Sequence, residues 1–252
     1  MLKVTTQKGQ GWSPNFSLEG YSELLSVFKD TGYSFCGFEE IDSRLAEGDP
    51  FVVLRHDIDM SLRPVLEMAR IEYEQGVQAT YFVLLRSPFY NLFSRSNAEI
   101  MPQIHQYGHQ IATHLDLTAY GNDFAKGLME VEVMSQFYPY INTQLVSLHS
   151  PCDLNQMPIG LFQQLNNVYG AAVRGEMAYI SDSTGRWRYG HPLDSEAFSV
   201  RKPIQLLTHP IWWTQEGETA TQKLERWLSS DHLNDRATLK DFLPKLFRFN
   251  EP

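Results

Sequence analysis

The sequence predicts an α/β fold with a mostly parallel sheet, and three observations lead to this class. Short apolar runs, typical of strands buried on both faces, alternate with segments of helical periodicity. Glycines stand where several of the helical segments should end. No shift in composition marks a second domain within the 252 residues. Strands that alternate with helices in this way indicate βαβ units and therefore a single α/β domain.

The N-terminal part of the chain is predicted to be a helical lead-in covering residues 1–50. Apolar side chains at Tyr21, Leu24, Leu25 and Phe28 have helical spacing, and Ser17 is a candidate N-cap. The core of alternating strands and helices is predicted over residues 51–213, and a charged helical tail over residues 214–252.

Within the core, strands and helices are expected in strict alternation as far as Pro151, and less regularly after it. Predicted strands cover 51–59, 78–85, 109–114 and 143–151, with helices at 62–75, 97–107 and 124–138 between them. Beyond Pro151 we expect a helix at 157–167 and shorter strands near 168–173, 178–183 and 204–210.

The charge balance excludes a general polyanion binder. Lys and Arg number 21 against 30 Asp and Glu, which gives a net charge of −9, so nucleic acid and anionic lipid would be repelled. Two cysteines, Cys36 and Cys152, make no disulfide framework and fit a reducing compartment. The start lacks a secretion-type apolar stretch, and no apolar run is long enough to span a membrane. We therefore expect a cytoplasmic location.

Ionisable side chains occur where four of the predicted strands end. They are Asp57 and Asp59, His114, His149 and His209. Each alone has an ordinary explanation, because Asp commonly caps turns and a lone His is usually structural. Active sites of parallel α/β folds gather at the carboxyl ends of strands, so we expect these residues to share one site.

The residue types at these positions suit a catalytic metal ion. Asp57 and Asp59 are two apart on a strand and therefore face the same way. Two carboxylates on one face repel each other unless a cation lies nearby. One Asp and two His residues form a common ligand set for a catalytic divalent metal, and the other Asp is then available as a base.

The chain resembles polysaccharide deacetylases of the NodB-homology type, especially the divergent WbmS-like branch associated with O-antigen gene clusters. The N-terminal YSELLSVFKDTGYSF resembles the segment that precedes the first motif in that branch. The motif resemblance runs from about residue 51 to 213 and is carried by RHDID, ATYFVL, GHQIATH, SLHSP, YISDSTGRW and LLTHP.

This resemblance implies a distorted, incomplete (β/α) barrel and a set of residue roles. Asp57 would be the catalytic base and Asp59 and His114 metal ligands. The family's second ligand histidine normally follows the first by four residues, where this chain has Thr118. His149, at the end of the next strand, is the best substitute. The resemblance makes His109 structural, which argues against a rival His105/His109 pair.

The implied reaction is hydrolysis of an N-acetyl group on an amino sugar or glycan precursor inside the cell. His209 would protonate the leaving amine, with Asp182 or Asp194 as its partner carboxylate. The family's arginine that steers the base is missing from its motif, so Arg55, Arg174 or Arg186 would replace it. Zinc is the first expectation for the metal, with cobalt, nickel or iron as alternatives.

Aromatic and cationic side chains beside the motifs are candidate substrate contacts. Trp187, Arg186 and Trp213 are the residues predicted for this role, because aromatic rings can form platforms for sugar faces. A buried tryptophan is more often part of the core. Two alternatives to the deacetylase stay open: a non-catalytic sugar-binding relative, and a metal hydrolase of other C–N bonds such as formamides or cyclic ureides.

Overall fold

The computed structural model describes residues 16–149, 166–168, 175–187 and 190–230. The chain divides into two compact units, Met1–Thr214 and Gln215–Pro252. The described part of the second unit contains helical residues 220–230. In that unit an exposed Arg226–Glu216 ion pair has its closest atoms 2.9 Å apart.

A parallel sheet forms the centre of the first unit, as the sequence predicted. Each described strand pair is parallel, and the strand order is β6-β5-β4-β3-β2-β8-β7, with β1 beside β2. Among the described strands this path is open, which is the arrangement of an incomplete α/β barrel. The strands are β1 Ser34–Phe35, β2 Phe51–Ile58, β3 Ala79–Leu84, β4 Gln110–Leu115, β5 Asn142–Leu148, β6 Asn166–Asn167, β7 Ala178–Ser181 and β8 Ile204–Thr208.

Helices alternate with these strands. They are α1 Leu18–Asp30, α2 Ile41–Glu47, α3 Val65–Gln75, α4 Arg95–Ala98, α5 Ile100–Gln106, α6 Phe124–Phe137, α7 Glu196–Ser199 and α8 Pro210–Thr214. Ser17 caps α1 as predicted, because its hydroxyl accepts from the backbone N–H of Gly20 at 3.1 Å. Gly76 ends α3 with a φ of +66°, a backbone conformation that favours glycine.

Two predicted helices differ from the structure. The helix expected over 97–107 is divided into α4 and α5. Ser94 caps the start of α4, and Pro102 in the first turn of α5 has no N–H to donate to the carbonyl of Ala98. The helix expected over 157–167 lies outside the described residues except for Asn166 and Asn167, which form a strand. Of the strand expected near 168–173, only Val168 is described. It comes directly after β6 and is not part of a strand.

Side chains alternate between two faces of the sheet, and this alternation positions the site. Apolar side chains on the inner face pack together in one cluster: Phe82, Ala112, Leu145 and Val168. Residues of the opposite parity on β4 and β5 pack in a second cluster with α6: Leu115, Leu117, Phe124, Val131, Val146 and Leu148. Polar residues on β2, β4 and β5 that share the inner parity therefore face the barrel interior.

A buried polar network lies on the outer face of β2. The carboxylate of Glu72, on α3, accepts from the hydroxyls of Tyr21 and Tyr81, the latter at 2.6 Å. It also lies 2.7 Å from Nε2 of His56, whose Nδ1 is 2.6 Å from the hydroxyl of Thr208. These contacts join α1 and α3 to β2, β3 and β8.

None of the described helices combines the length and the apolar character that a membrane crossing requires.

Candidate metal centre

The five ionisable residues predicted at strand ends lie in one region of the structure. Asp57 is the second-to-last residue of β2, and Asp59 follows that strand directly. His114 is in β4, while His149 and His209 come immediately after β5 and β8. Because all these strands run in parallel, their carboxyl ends meet at one edge of the sheet.

Asp59, His114 and His149 form a candidate metal-binding group. Oδ1 of Asp59 is 3.3 Å from Nε2 of His114 and 3.3 Å from Nδ1 of His149. One ligand atom from each residue lies within 4.8 Å of the other two. The two imidazole rings are nearly perpendicular, with centroids 5.2 Å apart. This is the ligand set that the sequence predicted, including His149 in place of the family's second histidine.

Hydrogen bonding fixes which nitrogen of His114 faces the group. Nδ1 lies 3.2 Å from the carbonyl oxygen of Ser147. A carbonyl oxygen only accepts, so Nδ1 carries a proton and Nε2 points toward Asp59. Asp116, two residues after His114, instead caps the short helix Leu117–Tyr120 by accepting from the backbone N–H of Thr118 at 3.0 Å. A metal-ligating histidine commonly donates its second N–H to a carbonyl in this way.

The chemistry of the group fits a cation. Oδ1 of Asp59 is buried and accepts no hydrogen bond from the residues that the structure describes, although two imidazole nitrogens are close to it. A buried oxygen left in this state is costly, and a bound divalent ion would satisfy it. Burial opposes ionisation of Asp59, but His114 and His149 outweigh it and hold its pKa well below the usual range. Asp59 in turn raises the pKa of His149.

Arg55 holds Asp57 inside the barrel. Its Nε donates to Oδ1 of Asp57 at 3.2 Å and its Nη2 donates to Oδ2 at 2.6 Å. Nη2 also donates to the Ser147 hydroxyl at 2.6 Å, and the guanidinium lies 5.3 Å from the Phe82 ring centroid. Burial raises the pKa of Asp57, but Arg55 and the neighbouring histidines lower it further, so the carboxylate stays ionised. Of the three arginines left open by the sequence, Arg55 makes this contact, Arg186 is exposed, and Arg174 lies outside the described residues.

His209 is oriented by Asp182. Its Nδ1 lies 2.6 Å from Oδ1 of Asp182, and its Nε2 lies 3.9 Å from Oδ2 of Asp59. Burial lowers the pKa of His209, but the Asp182 carboxylate outweighs it and raises the pKa to about 9. The other candidate carboxylate, Asp194, lies in the short helix Pro192–Asp194.

The three predicted substrate contacts differ in accessibility. Arg186 is exposed and Trp187 is partly buried, whereas Trp213 is only 3% exposed. The Trp213 indole donates to Oδ2 of Asp182 at 2.8 Å. Its ring centroid lies 6.0 Å from that of Trp187. Contact of these residues with substrate stays a prediction.

Three further histidines, among them the rejected His105/His109 pair, make contacts away from the candidate metal group. His109 receives the backbone N–H of Ala79 at Nδ1 and lies 2.8 Å from the carbonyl oxygen of Ala69 at Nε2. His105 stacks on Tyr140 with ring centroids 4.5 Å apart. His56 belongs to the network on the outer face of β2.

Sequence reasoning missed the part of Ser147. Its hydroxyl accepts a hydrogen bond from Arg55, and its carbonyl oxygen accepts one from His114. Ser147 therefore links the proposed base to the candidate metal group. A serine between apolar residues two positions before a predicted ligand was the available signal, because period-two alternation places it on the ligand's face.

No model of a known protein family matches the sequence, and no curated protein matches it either. The deacetylase resemblance is therefore carried by the short motifs quoted above.

Proposed function

We propose that the protein is a metal-dependent hydrolase that removes an N-acyl group, N-acetyl first, from an amino sugar or glycan precursor. The observation that carries the proposal is the Asp59, His114 and His149 group beside an oriented carboxylate and an oriented imidazole. This combination supplies the parts that hydrolysis of an amide requires, namely metal ligands, a base and an acid.

Asp59, His114 and His149 would hold the metal. A divalent cation, with zinc the first candidate and cobalt, nickel or iron the alternatives, supplies Lewis acidity that polarises an amide carbonyl and activates water. The Ser147 carbonyl keeps the Nε2 lone pair of His114 directed at the ligand position, since it accepts the proton on Nδ1.

Asp57 serves as the general base in this proposal. It accepts the proton of the attacking water at a carboxylate oxygen, while Arg55 keeps the carboxylate plane fixed through two hydrogen bonds. A positioned base contributes roughly 10²- to 10⁴-fold to such reactions.

His209 serves as the general acid. An amine leaves poorly as an anion, so its nitrogen must gain a proton as the C–N bond breaks. The hydrogen bond from Nδ1 to Asp182 leaves Nε2 directed toward the Asp59 side of the site, from which it can donate that proton.

The sugar as substrate is supported by the motif resemblance and by Trp187, a partly buried aromatic side chain that packs against Trp213 near His209. Arg186, which precedes Trp187, is exposed. We place the substrate inside the cell, as a nucleotide-linked or lipid-linked precursor, and the location of the protein in the cytoplasm belongs to the same proposal.

The test is release of acetate from a panel of free and nucleotide-linked N-acetylated amino sugars by zinc-reconstituted protein. We expect Asp57→Asn to lose acetate release by roughly 10²-fold or more while its metal content equals that of wild type. Formamides and cyclic ureides in the same panel test the alternative C–N substrates.

Metal content by elemental analysis separates the remaining outcomes. His149→Ala should lose the metal that wild type retains, and retention would contradict the ligand assignment. Full activity of Asp57→Asn would contradict its assignment as base. A wild-type protein that takes up no metal but binds sugars would support the non-catalytic relative instead.

A further inference from the structure

We propose that Trp213 is a positioning residue, whose indole N–H keeps Asp182 in the orientation that fixes His209. The inference rests on the proposed function, because it concerns the imidazole assigned there as the acid. In this proposal the Trp213 side chain contacts the Asp182 carboxylate behind the reacting groups, and not the substrate.

Asp182 is completely buried, so the donors around it determine how its carboxylate is turned. Oδ1 faces Nδ1 of His209 at 2.6 Å, and Oδ2 accepts from the indole of Trp213 at 2.8 Å. The backbone N–H of His209 lies 3.0 Å from both oxygens. Without the indole, Oδ2 would keep only this shared backbone contact among the described residues, and the carboxylate would lose the side-chain donor opposite His209.

Chain geometry brings both donors to the same carboxylate. His209 directly precedes α8, and Trp213 lies four residues after it. Residues four apart on a helical turn lie on the same side, so one turn presents the imidazole and the indole together. The backbone N–H of Trp212 donates to the carbonyl of His209 at 3.0 Å and fixes the start of that turn.

Other aromatic rings hold the indole in place. The Phe16 and Tyr21 ring centroids lie 4.9 Å and 5.2 Å from that of Trp213, both in edge-on arrangements. Trp187 packs on a further side at 6.0 Å. Phe16 and α1 belong to the N-terminal lead-in, so this segment supports the site although it carries none of the proposed reacting groups.

Trp212 offers a matched control in the adjacent position. It is also buried, at 8% exposure, but its Nε1 has no hydrogen-bond partner among the described residues. Trp212→Phe and Trp213→Phe therefore remove the same atoms from the same helix, and only the second removes a contact with Asp182.

The experiment compares these two variants and Asp182→Asn in zinc-reconstituted protein labelled with ¹⁵N at histidine and tryptophan. We expect Trp213→Phe to shift the His209 Nδ1 resonance in the direction that Asp182→Asn shifts it, and Trp212→Phe to leave it unchanged. On the best N-acetylated substrate, kcat of Trp213→Phe should fall roughly 10- to 100-fold with KM nearly unchanged. If Trp213 acted through packing alone, Trp213→Phe would lower stability without lowering kcat selectively over KM.

Equal kcat and equal His209 resonances in the two Phe variants would overturn the proposal. If Trp213→Phe does not fold, wild-type protein still tests it: the Trp213 indole proton, assigned through its proximity to the Phe16 and Tyr21 rings, should resonate downfield of the Trp212 proton, which Trp212→Phe identifies. Coincidence of the two resonances would overturn the contact. A shifted His209 resonance in Trp213→Phe, with no turnover by wild type, would support the contact and contradict the proposed function.

Discussion

Arg55 and Asp57 form a buried ion pair two residues apart on one strand. The Arg55 guanidinium donates to both carboxylate oxygens of Asp57 and also to the hydroxyl of Ser147. Removing one partner of a buried pair leaves an uncompensated charge and costs about 3–5 kcal/mol, whereas the intact pair adds little net stability. The pair is therefore better explained by its effect on the orientation of Asp57 than by stability.

Arg55→Lys is expected to lower the rate of the proposed hydrolysis roughly 10- to 100-fold while metal content stays at the wild-type level. Lysine keeps the charge but lacks the planar fork that reaches both oxygens of Asp57. Steady-state kinetics and elemental analysis measure the two quantities. The control is Arg70→Lys, at an exposed ion pair with Glu74, which should change neither. Wild-type kcat in Arg55→Lys would show that the fork does not position the base.

At the scale of elements, Glu72 attaches α3 to the sheet. Its carboxylate meets Tyr21 of α1, His56 of β2 and Tyr81 of β3, all fully buried. A buried carboxylate accepting several hydrogen bonds is destabilising to replace, because its donors are left without an acceptor. The Glu72 side chain therefore connects α1 and α3 to the outer face of the sheet.

Glu72→Gln is expected to lower the free energy of unfolding by about 3 kcal/mol, since one amide oxygen replaces two anionic oxygens. Urea denaturation near neutral pH measures this difference. Glu74→Gln, two residues away and exposed, serves as the control and should stay within about 0.5 kcal/mol of wild type. A similar small effect for Glu72→Gln would show that the network carries no net stability.

Low pH should also reduce the contribution of the Glu72 carboxylate to the free energy of unfolding. Burial opposes ionisation of Glu72, but His56, His109 and Tyr21 outweigh it and hold its pKa below the ordinary 4.5. Below that ordinary value the unfolded chain binds a proton that the native protein does not, so the free energy of unfolding falls as pH falls. Denaturation from about pH 6 to pH 3 should therefore show the gap between wild type and Glu72→Gln narrowing. A gap independent of pH would contradict the lowered pKa.

The strands and the ligands were predictable because their signals are local. Apolar runs marked β2, β3, β4, β5 and β8, and ionisable residues at the ends of all of these except β3 marked the site. The predicted helix 97–107 was drawn through Pro102, whose missing N–H allows a helix to begin there but not to continue from Ala98, so its division was missed. Asp182 could not be chosen over Asp194 from the sequence, since the choice depends on the pairing of Ser181 in β7 with Leu207 in β8.

At the scale of the whole molecule, the candidate metal group joins three separate strand ends. Asp59 follows β2, His114 is in β4, and His149 follows β5, so the ligands are 35 to 90 residues apart in sequence. A ligand that binds only the native arrangement stabilises the entire fold through mass action. Metal binding should therefore appear as a change in global stability.

Zinc at about 100 times its Kd should stabilise wild-type protein by about 2.7 kcal/mol. For a protein of this size the thermal midpoint would rise by roughly 5–10 °C. Differential scanning calorimetry with and without a chelator measures the shift, and Asp59→Asn should abolish it. An equal shift in Asp59→Asn would place the zinc at some other position in the chain.

The alternation of side chains along β2 also has a consequence for how this protein can change during evolution. Arg55 and Asp57 face the barrel interior, while His56 between them faces α1 and α3. Substitutions on one face can alter chemistry while leaving the opposite network intact, so the two can diversify independently. Loss or gain of a single residue within the strand would exchange the two faces and disrupt both at once. We therefore expect lineages to tolerate point changes in β2 but to keep its length fixed.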